Sequence, residues 1–382
     1  MRAIDKEYYP AWTEINLANI ENNFKQLRKR AGAGMKMLIA VKADAYGHGM
    51  VEVSRRLAAC GADYLGVASV NEALILRKNK IKSPILVLGS VYDPGQVRQA
   101  LDNNISLTVA GLKGAELFNK IASSKNKLTV HIKIDTGMGR IGIWYENAFF
   151  EICRIRKMKN LDIQGIFTHF PSADSDLDFT RRQLKIFKTL IRRLKDAGMN
   201  IPMAHASNSI ALSRLKAADI DFLNMSRPGI MVYGMYPAKP GKADKSLNLK
   251  PALELKSRVV FIKKVSAGQT ISYGRTHTIS RPTRVSTISI GYADGYPRCL
   301  SNRGYVKIRG DLYPVVGRVC MDQTMVDIGI DSKIRVGDEV ILIGDEKKLP
   351  LSAENIAALC ETIPYEITCG ISSRVGRVFK KD

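Results

Sequence analysis

From residue 13 to about residue 235, this 382-residue chain alternates short apolar runs with stretches whose apolar residues recur every three to four positions. The runs lie at 37–41, 64–68, 85–88, 106–110, 129–134, 163–168, 203–206 and 230–233. Each has the length of a buried strand. The intervening stretches read as helices. Leu17, Ile20, Phe24, Leu27 and Ala31 fall on one helical face, and Gly32 follows where a left-handed residue ends the helix. Parallel strands need a crossover connection, usually a helix, and eight strand–helix units are the number that closes a barrel. The spacing therefore predicts an α/β fold, a TIM-like (β/α)8 barrel. Catalytic groups of such barrels sit at the C-terminal ends of strands. Here Lys42 follows the first run, Arg140 the fifth, His169 the sixth, and Asn208 and Ser209 the seventh.

The segment 238–245 is polar and broken by Gly and Pro, which marks a linker. Beyond it, short β-rich runs at 258–262, 285–290, 305–308, 324–328 and 339–343 alternate with glycine turns, and one helix is expected over 352–363. We expect a barrel domain at 1–240 and a mostly-β domain at 241–382, a small barrel or sandwich. A 45% apolar content suffices for two cores. The first ten residues are polar and charged, unlike a signal peptide, and no run approaches the ~20 apolar residues of a membrane span. The six cysteines, at 60, 153, 299, 320, 360 and 369, show no CxxC pair, and the five histidines are dispersed. That pattern suits a reducing cytoplasm and a protein without a metal. The net charge of +23 gathers in clusters such as Arg28-Lys29-Arg30 and Arg192-Arg193-Leu194-Lys195. Without a recognition motif or interleaved aromatics, these read as solvated helix faces, so neither a nucleic-acid nor a membrane partner is expected.

The first run leads into Val41-Lys42-Ala43-Asp44-Ala45-Tyr46-Gly47-His48-Gly49. Lysine avoids the end of a buried strand, because desolvating an ammonium costs several kcal/mol. Taken alone, Lys42 reads as a side chain snorkelling to solvent. A lysine whose pKa is lowered by burial can also form a Schiff base with an aldehyde cofactor. Further along, 206–209 and 227–230 offer hydroxyls and backbone N–H groups near helix starts, suited to an anion.

Taken together, the motifs resemble those of the alanine racemase family. They are VKADAYGHG (41–49), HIKIDTGMGR (131–140), THF (168–170), HASNS (205–209), RPGIMVYG (227–234), ISYG (271–274), GYADG (291–295), VCMDQ (319–323) and PYE (364–366), and they span nearly the whole chain. The resemblance implies a pyridoxal 5'-phosphate (PLP) enzyme of fold-type III, a C-terminal β domain, and a homodimer with shared active sites. It makes Lys42 the cofactor anchor and one acid/base catalyst, and Tyr273 the other. Racemisation removes a proton from one face of a carbanion-like centre and returns it to the other, so two opposed groups suffice. A phenol needs electrostatic help for this near neutrality, and His169 and Arg227 resemble the family's relay towards the tyrosine.

Arg227 corresponds to an arginine facing the pyridine nitrogen. As a permanent donor it leaves that nitrogen unprotonated, where barrel decarboxylases use an acid. Tyr46, Asn208, Ser209, Gly229, Ile230 and Tyr365 complete the implied cofactor set. Arg140 corresponds to the arginine that meets the cofactor and the substrate carboxylate, and Lys133 to a lysine carbamylated in many members. Met321 and Asp322 would come from the second subunit, and Tyr292 and Tyr365 would form a narrow gate. Two features depart from the pattern: Asp44 stands for a common asparagine, and Gly376 and Phe379 for a common proline and tyrosine. The expected reaction interconverts L- and D-alanine, with D-alanine supplied to peptidoglycan. The alternatives are a serine or broad-specificity racemase, a decarboxylase on the same scaffold, or a non-enzymatic PLP carrier. The last lacks the β domain.

Overall fold

A computed structural model describes residues 9–236, 247–344 and 350–380; the expected linker at 238–245 lies outside them. Eight parallel strands form the barrel. Around it run Ser106–Val109, Ile85–Ser90, Tyr64–Val67, Lys36–Ala40, Met225–Arg227, Met203–Asn208, Leu161–Phe167 and Leu128–Asp135, and the last pairs with the first to close the ring. These strands read as continuous apolar runs because both faces are covered: Met37, Leu38, Ile39 and Val41 have no exposed surface. The helix Leu17–Ala31 starts at Asn16, whose side chain accepts from the Asn19 N–H at 2.9 Å, and buries Leu17, Ile20, Phe24 and Leu27.

The eighth strand is not the apolar run at 230–233. Ile230–Tyr233 is a 3-10 turn, and the barrel closes through Met225–Arg227. A short apolar run fits a buried turn as well as a strand, and Pro228 and Gly229 just before it end the ladder. The true strand, Met225-Ser226-Arg227, carries one apolar residue and so leaves no run to read.

The second sheet is antiparallel around the long strand Leu253–Val265, which pairs with Ala11–Asn16, Thr283–Ile288 and Glu339–Ile343. Ala11–Asn16 also pairs, in parallel, with Gly376–Lys380. The first strand of the chain therefore belongs to the β sheet rather than to the barrel expected over 1–240. Lys256 ties this sheet together from a nearly buried position, reaching Glu14 at 3.0 Å, Glu254 at 3.1 Å and Glu339 at 2.9 Å. One apolar cluster runs from Ile39 and Val130 in the barrel to Ile288 and Ile308 in the β domain.

The scattered cysteines, whose pattern suits a reducing cytoplasm, nevertheless include one bonded pair. Cys299 and Cys360 form a disulfide, with Cα atoms 5.5 Å apart across 61 residues of sequence. A pair so far apart leaves no local pattern; only the fold brings Arg298–Leu300 beside the end of the helix Ala353–Leu359. Among the described residues, no helix is long and apolar enough to cross a membrane, and no three His, Cys, Asp or Glu side chains are grouped to hold a metal ion.

Candidate active site

Lys42 leaves the first barrel strand into an unusual turn. Ala43, Asp44, Ala45 and Tyr46 all have φ between 52° and 55°, a single left-handed helical turn built without glycine. Such backbone costs roughly 1–2 kcal/mol per residue, so its surroundings must hold it. The Ala43 N–H donates to Glu72 Oε1 at 2.8 Å, and the Met50 N–H to Asp44 Oδ1 at 2.7 Å. The Tyr46 ring lies between Tyr233, at 5.0 Å, and Tyr365, at 5.9 Å. Asp44 suits its place, because Asp and Asn tolerate left-handed backbone better than most residues. Burial first, then the charge of Arg140, pushes the Lys42 amine below its usual pKa.

The fifth barrel strand ends in a loop wound round one carboxylate. Asp135 accepts N–H bonds from Gly137, Met138, Gly139 and Arg140 at 2.9–3.2 Å. Burial alone would raise this carboxyl, but the four donors outweigh it and hold it below the ordinary range. The loop delivers Arg140 to the rim of the pocket. Two residues before Asp135, on the same face of the strand, Lys133 is buried, and its Nζ has no hydrogen-bond partner among the described residues. It lies 4.8 Å over the Phe167 ring. Burial, then Arg227 and Arg140, drive its pKa well below the usual lysine value.

Arg227 ends the eighth barrel strand, buried, with its own pKa lowered by burial to about 9. Its Nη2 donates to the Thr168 carbonyl at 2.6 Å and the Ala206 carbonyl at 3.0 Å, and lies 3.4 Å from His169 Nδ1. His169 is held neutral by burial and by the charge of Arg227. Asn208 caps the helix Ser209–Arg214 by accepting from the Ala211 N–H at 2.9 Å, and Ser209 Oγ accepts from the Gly229 N–H at 2.8 Å. Gly229 must be glycine, since a Cβ there would lie 2.6 Å from the Tyr46 hydroxyl.

These side chains line one cavity of about 580 Å³ at the C-terminal mouth of the barrel. It gathers Lys42, Tyr46, Lys133, Arg140, His169, Asn208, Ser209, Arg227, Gly229, Ile230 and Tyr365. Tyr365 comes from the β domain, on the short helix Pro364–Cys369 that packs against the Lys42 turn. Four of the expected residues lie elsewhere. Tyr273 is 74% exposed, Met321 53% and Tyr292 43%, and Asp322 is bound by Arg374 at 2.8 Å. They form a second group on the β domain: the Tyr292 N–H donates to the Cys320 carbonyl, and Ser272 to the Arg318 carbonyl.

Two features of the pocket were not foreseen from the sequence. His131 and His205 stand behind Arg227, and Phe167 lies beneath the Lys133 amine and the Arg227 guanidinium. The signal was present, since His131 and Lys133 are two apart on a strand, and His205 begins the HASNS motif.

Residues 15–237 match the family model "Alanine racemase, N-terminal domain", and residues 252–379 match "Alanine racemase, C-terminal domain". This chain belongs to the alanine racemase family. It is similar to alanine racemase 2 of Caldanaerobacter subterraneus subsp. tengcongensis, 42% identical over 98% of this chain and 95% of the relative. The alanine racemase of Desulforamulus reducens is 42% identical over 97% of this chain and 99% of its own length. Among solved structures, an alanine racemase of Clostridium difficile 630 superposes with a TM-score of 0.92 at 41% identity, covering 99% of this chain and 97% of its own. One from Bacillus anthracis, solved with bound L-Ala-P, gives 0.90 at 34% identity, covering 98% and 96%. Family membership accounts for the joint presence of the barrel, the β domain and a pocket built from both.

Proposed function

We propose that this protein is a PLP-dependent racemase that interconverts L-alanine and D-alanine, using Lys42 and the Tyr273 of a second copy as opposed acid/base groups. The observation that carries this reading is a lysine at the barrel mouth, Lys42, whose pKa is lowered by burial and by Arg140, in the same cavity as a guanidinium donor, Arg227. The donor set fits the cofactor. Lys42 offers an amine whose pKa is already lowered, as attack on an aldehyde requires. Ser209, Gly229, Ile230 and the Tyr46 and Tyr365 hydroxyls surround space for a phosphate at the start of the short helix. When bound, PLP supplies an electron sink that acidifies the substrate α-carbon.

The remaining work falls to the chain. Lys42 Nζ moves a proton at one face of the substrate. Arg140 and the loop around Asp135 orient the substrate carboxylate by charge. With the cofactor bound, Arg227 would serve its ring nitrogen as a donor that keeps its proton, which would limit the sink and favour return of the α-proton over side reactions. His169, neutral and next to Arg227, leads towards the position that the second tyrosine must take. Tyr292 and Tyr365 narrow the entrance, favouring a methyl side chain.

The tyrosine requires a homodimer. On one chain Tyr273, Met321 and Tyr292 are exposed on the β domain and do not line the cavity that holds Lys42. A second copy that brings this group over the barrel mouth completes the site. Lys133 is the place for a carbamate: its unpartnered amine, with a lowered pKa, adds carbon dioxide in its uncharged form and releases one proton, giving an anion beside Arg140. The division at 240/241, apart from the strand Ala11–Asn16, then separates the unit that holds the cofactor from the unit that serves the other subunit. A cytoplasmic site, with D-alanine passed to peptidoglycan synthesis, completes the reading.

Chiral analysis of products in deuterated buffer with added PLP tests the proposal on L-alanine, L-serine and L-lysine. D-alanine should form fastest, and its formation should be lost in Lys42→Ala and in Tyr273→Ala. Faster turnover of serine or lysine would reassign the substrate, and carbon dioxide release would replace the racemase by a decarboxylase.

A further inference from the structure

The Arg227 guanidinium is fixed from behind as well as from the pocket. Nη2 is taken by the Thr168 and Ala206 carbonyls, and Nη1 donates to His205 Nδ1 at 2.9 Å. His205 in turn lies 2.8 Å, through Nε2, from His131 Nδ1. These bonds use Nη1 and Nη2 and leave Nε–H out of the network.

Proton counting fixes the chain. Arginine has donors only, so His205 Nδ1 must accept and carries no proton. Both imidazoles are neutral, because burial and then the charge of Arg227 drive their pKa values down, that of His131 to about 3. A neutral imidazole carries one proton. On His205 it therefore sits on Nε2 and points at His131 Nδ1. On His131 it sits on Nε2, an atom that is buried and has no hydrogen-bond partner among the described residues. The packing is shaped around this arrangement. The His205 ring stacks on Phe167 at 4.7 Å and 4°. A Cβ on Gly165 of the adjacent strand would lie 2.1 Å from His131 Nδ1, so glycine clears the space for the His131 ring.

We propose that His131 and His205 are positioning residues, which hold the Arg227 guanidinium in one orientation through a hydrogen-bond chain whose tautomers Arg227 itself dictates. The functional side of this proposal rests on the reading that Arg227 serves the cofactor ring; the tautomers do not. Without an acceptor at position 131, the His205 Nε2–H is left buried and unpaired, and that cost opposes the preference that Arg227 sets. Moved to Nδ1, the proton opposes the Arg227 Nη1–H, and the guanidinium loses one of its anchors.

The test is ¹⁵N NMR of the histidines and arginines in the apoprotein. In the unaltered protein, His131 and His205 should both be protonated on Nε2, and the Arg227 Nη signals should be separate, as for a guanidinium that cannot rotate. His131→Phe removes the acceptor and should merge those signals; His131→Gln keeps an acceptor oxygen and should preserve them. In the PLP-loaded enzyme, His131→Phe should lower kcat by about tenfold to a hundredfold, the scale of a small misplacement of a working group. KM should stay near its original value, and His131→Gln should recover most of the loss. A His205 protonated on Nδ1 overturns the proposal, and this holds even if His131→Phe does not fold. So do Nη signals unchanged in His131→Phe, or an unchanged kcat once they have merged. If the tautomers are as stated but the loaded protein leaves alanine untouched, the functional reading fails and the chain itself stands.

Discussion

At the scale of single residues, the pocket is a set of cations whose charge is suppressed by burial and by one another. Lys133 is the extreme case, its amine driven well below the usual lysine pKa by burial and then by Arg227 and Arg140. Its folded pKa is depressed, so the unfolded state binds the extra proton between the folded value and the ordinary 10.5. Folding stability attached to this side chain is therefore present above 10.5 and is lost as the pH falls through the folded value. In carbon dioxide-free buffer, Lys133→Met should be more stable than the parent at pH 7, and the difference should fade as the pH approaches 10.5. Urea unfolding of the apoprotein at several pH values measures it. A pH-independent difference would mean that Lys133 keeps its proton in the fold.

At the scale of elements, the site depends on how closely the Lys42 turn meets the helix Pro364–Cys369. Gly47, at φ 84°, ends the left-handed turn, and a Cβ there would lie 2.1 Å from the Thr368 carbonyl oxygen. Gly47→Ala should cost about 3 kcal/mol or more, combining backbone strain with a clash that nothing flexible can relieve. It should also weaken PLP binding, because the same helix carries Tyr365. Gly32 has a similar φ of 85° but open space around its Cβ position. Gly32→Ala should cost only about 1 kcal/mol and leave PLP affinity unchanged. Denaturant melts and cofactor titration of the two variants separate packing from backbone strain. The helix Ala353–Leu359, just before, ends at Cys360 and its disulfide to Cys299. Closing a 61-residue span restricts the unfolded chain by about 4 kcal/mol. Removing the bond by Cys299→Ser should lower the midpoint of unfolding accordingly, and an unchanged midpoint would show the two thiols unbonded in solution.

At the scale of the whole molecule, the proposed reading makes the exposed group around Tyr273 and the barrel cavity of one chain parts of two different sites. Mixing Lys42→Ala with Tyr273→Ala tests this directly. Each homodimer should be inactive. After subunit exchange, half the dimers are mixed and each holds one intact site, so about a quarter of the original activity should return. No recovery, with exchange confirmed by mass, would place both groups in a site made by one chain. The net charge of +23 belongs to the same scale. It should cause nucleic-acid retention that disappears with salt while racemisation continues.

Hydrophobic period and strand-end polar residues carried much of this protein in one dimension. Seven of the eight barrel strands, the helix at Leu17–Ala31, and the positions of Lys42, Arg140, His169 and Asn208 all follow from local pattern, because periodicity reports burial and strand ends lie at the barrel mouth. Other features depend on contacts between distant residues, which leave no local trace. The strand Ala11–Asn16 crosses to the β sheet because its partners, Leu253–Val265 and Gly376–Lys380, lie more than 230 residues away. Met225–Arg227 closes the barrel only because its neighbours are already in place. Cys299 and Cys360 meet across 61 residues, and His131, His205 and Arg227 become one chain only when their three strands, with Leu161–Phe167 between the first two, close into one sheet. The sequence determined which elements form and which polar residues stand at their ends. The tertiary structure decided which residues share a proton, a bond or a wall, because those choices depend on distances that only the packed chain defines.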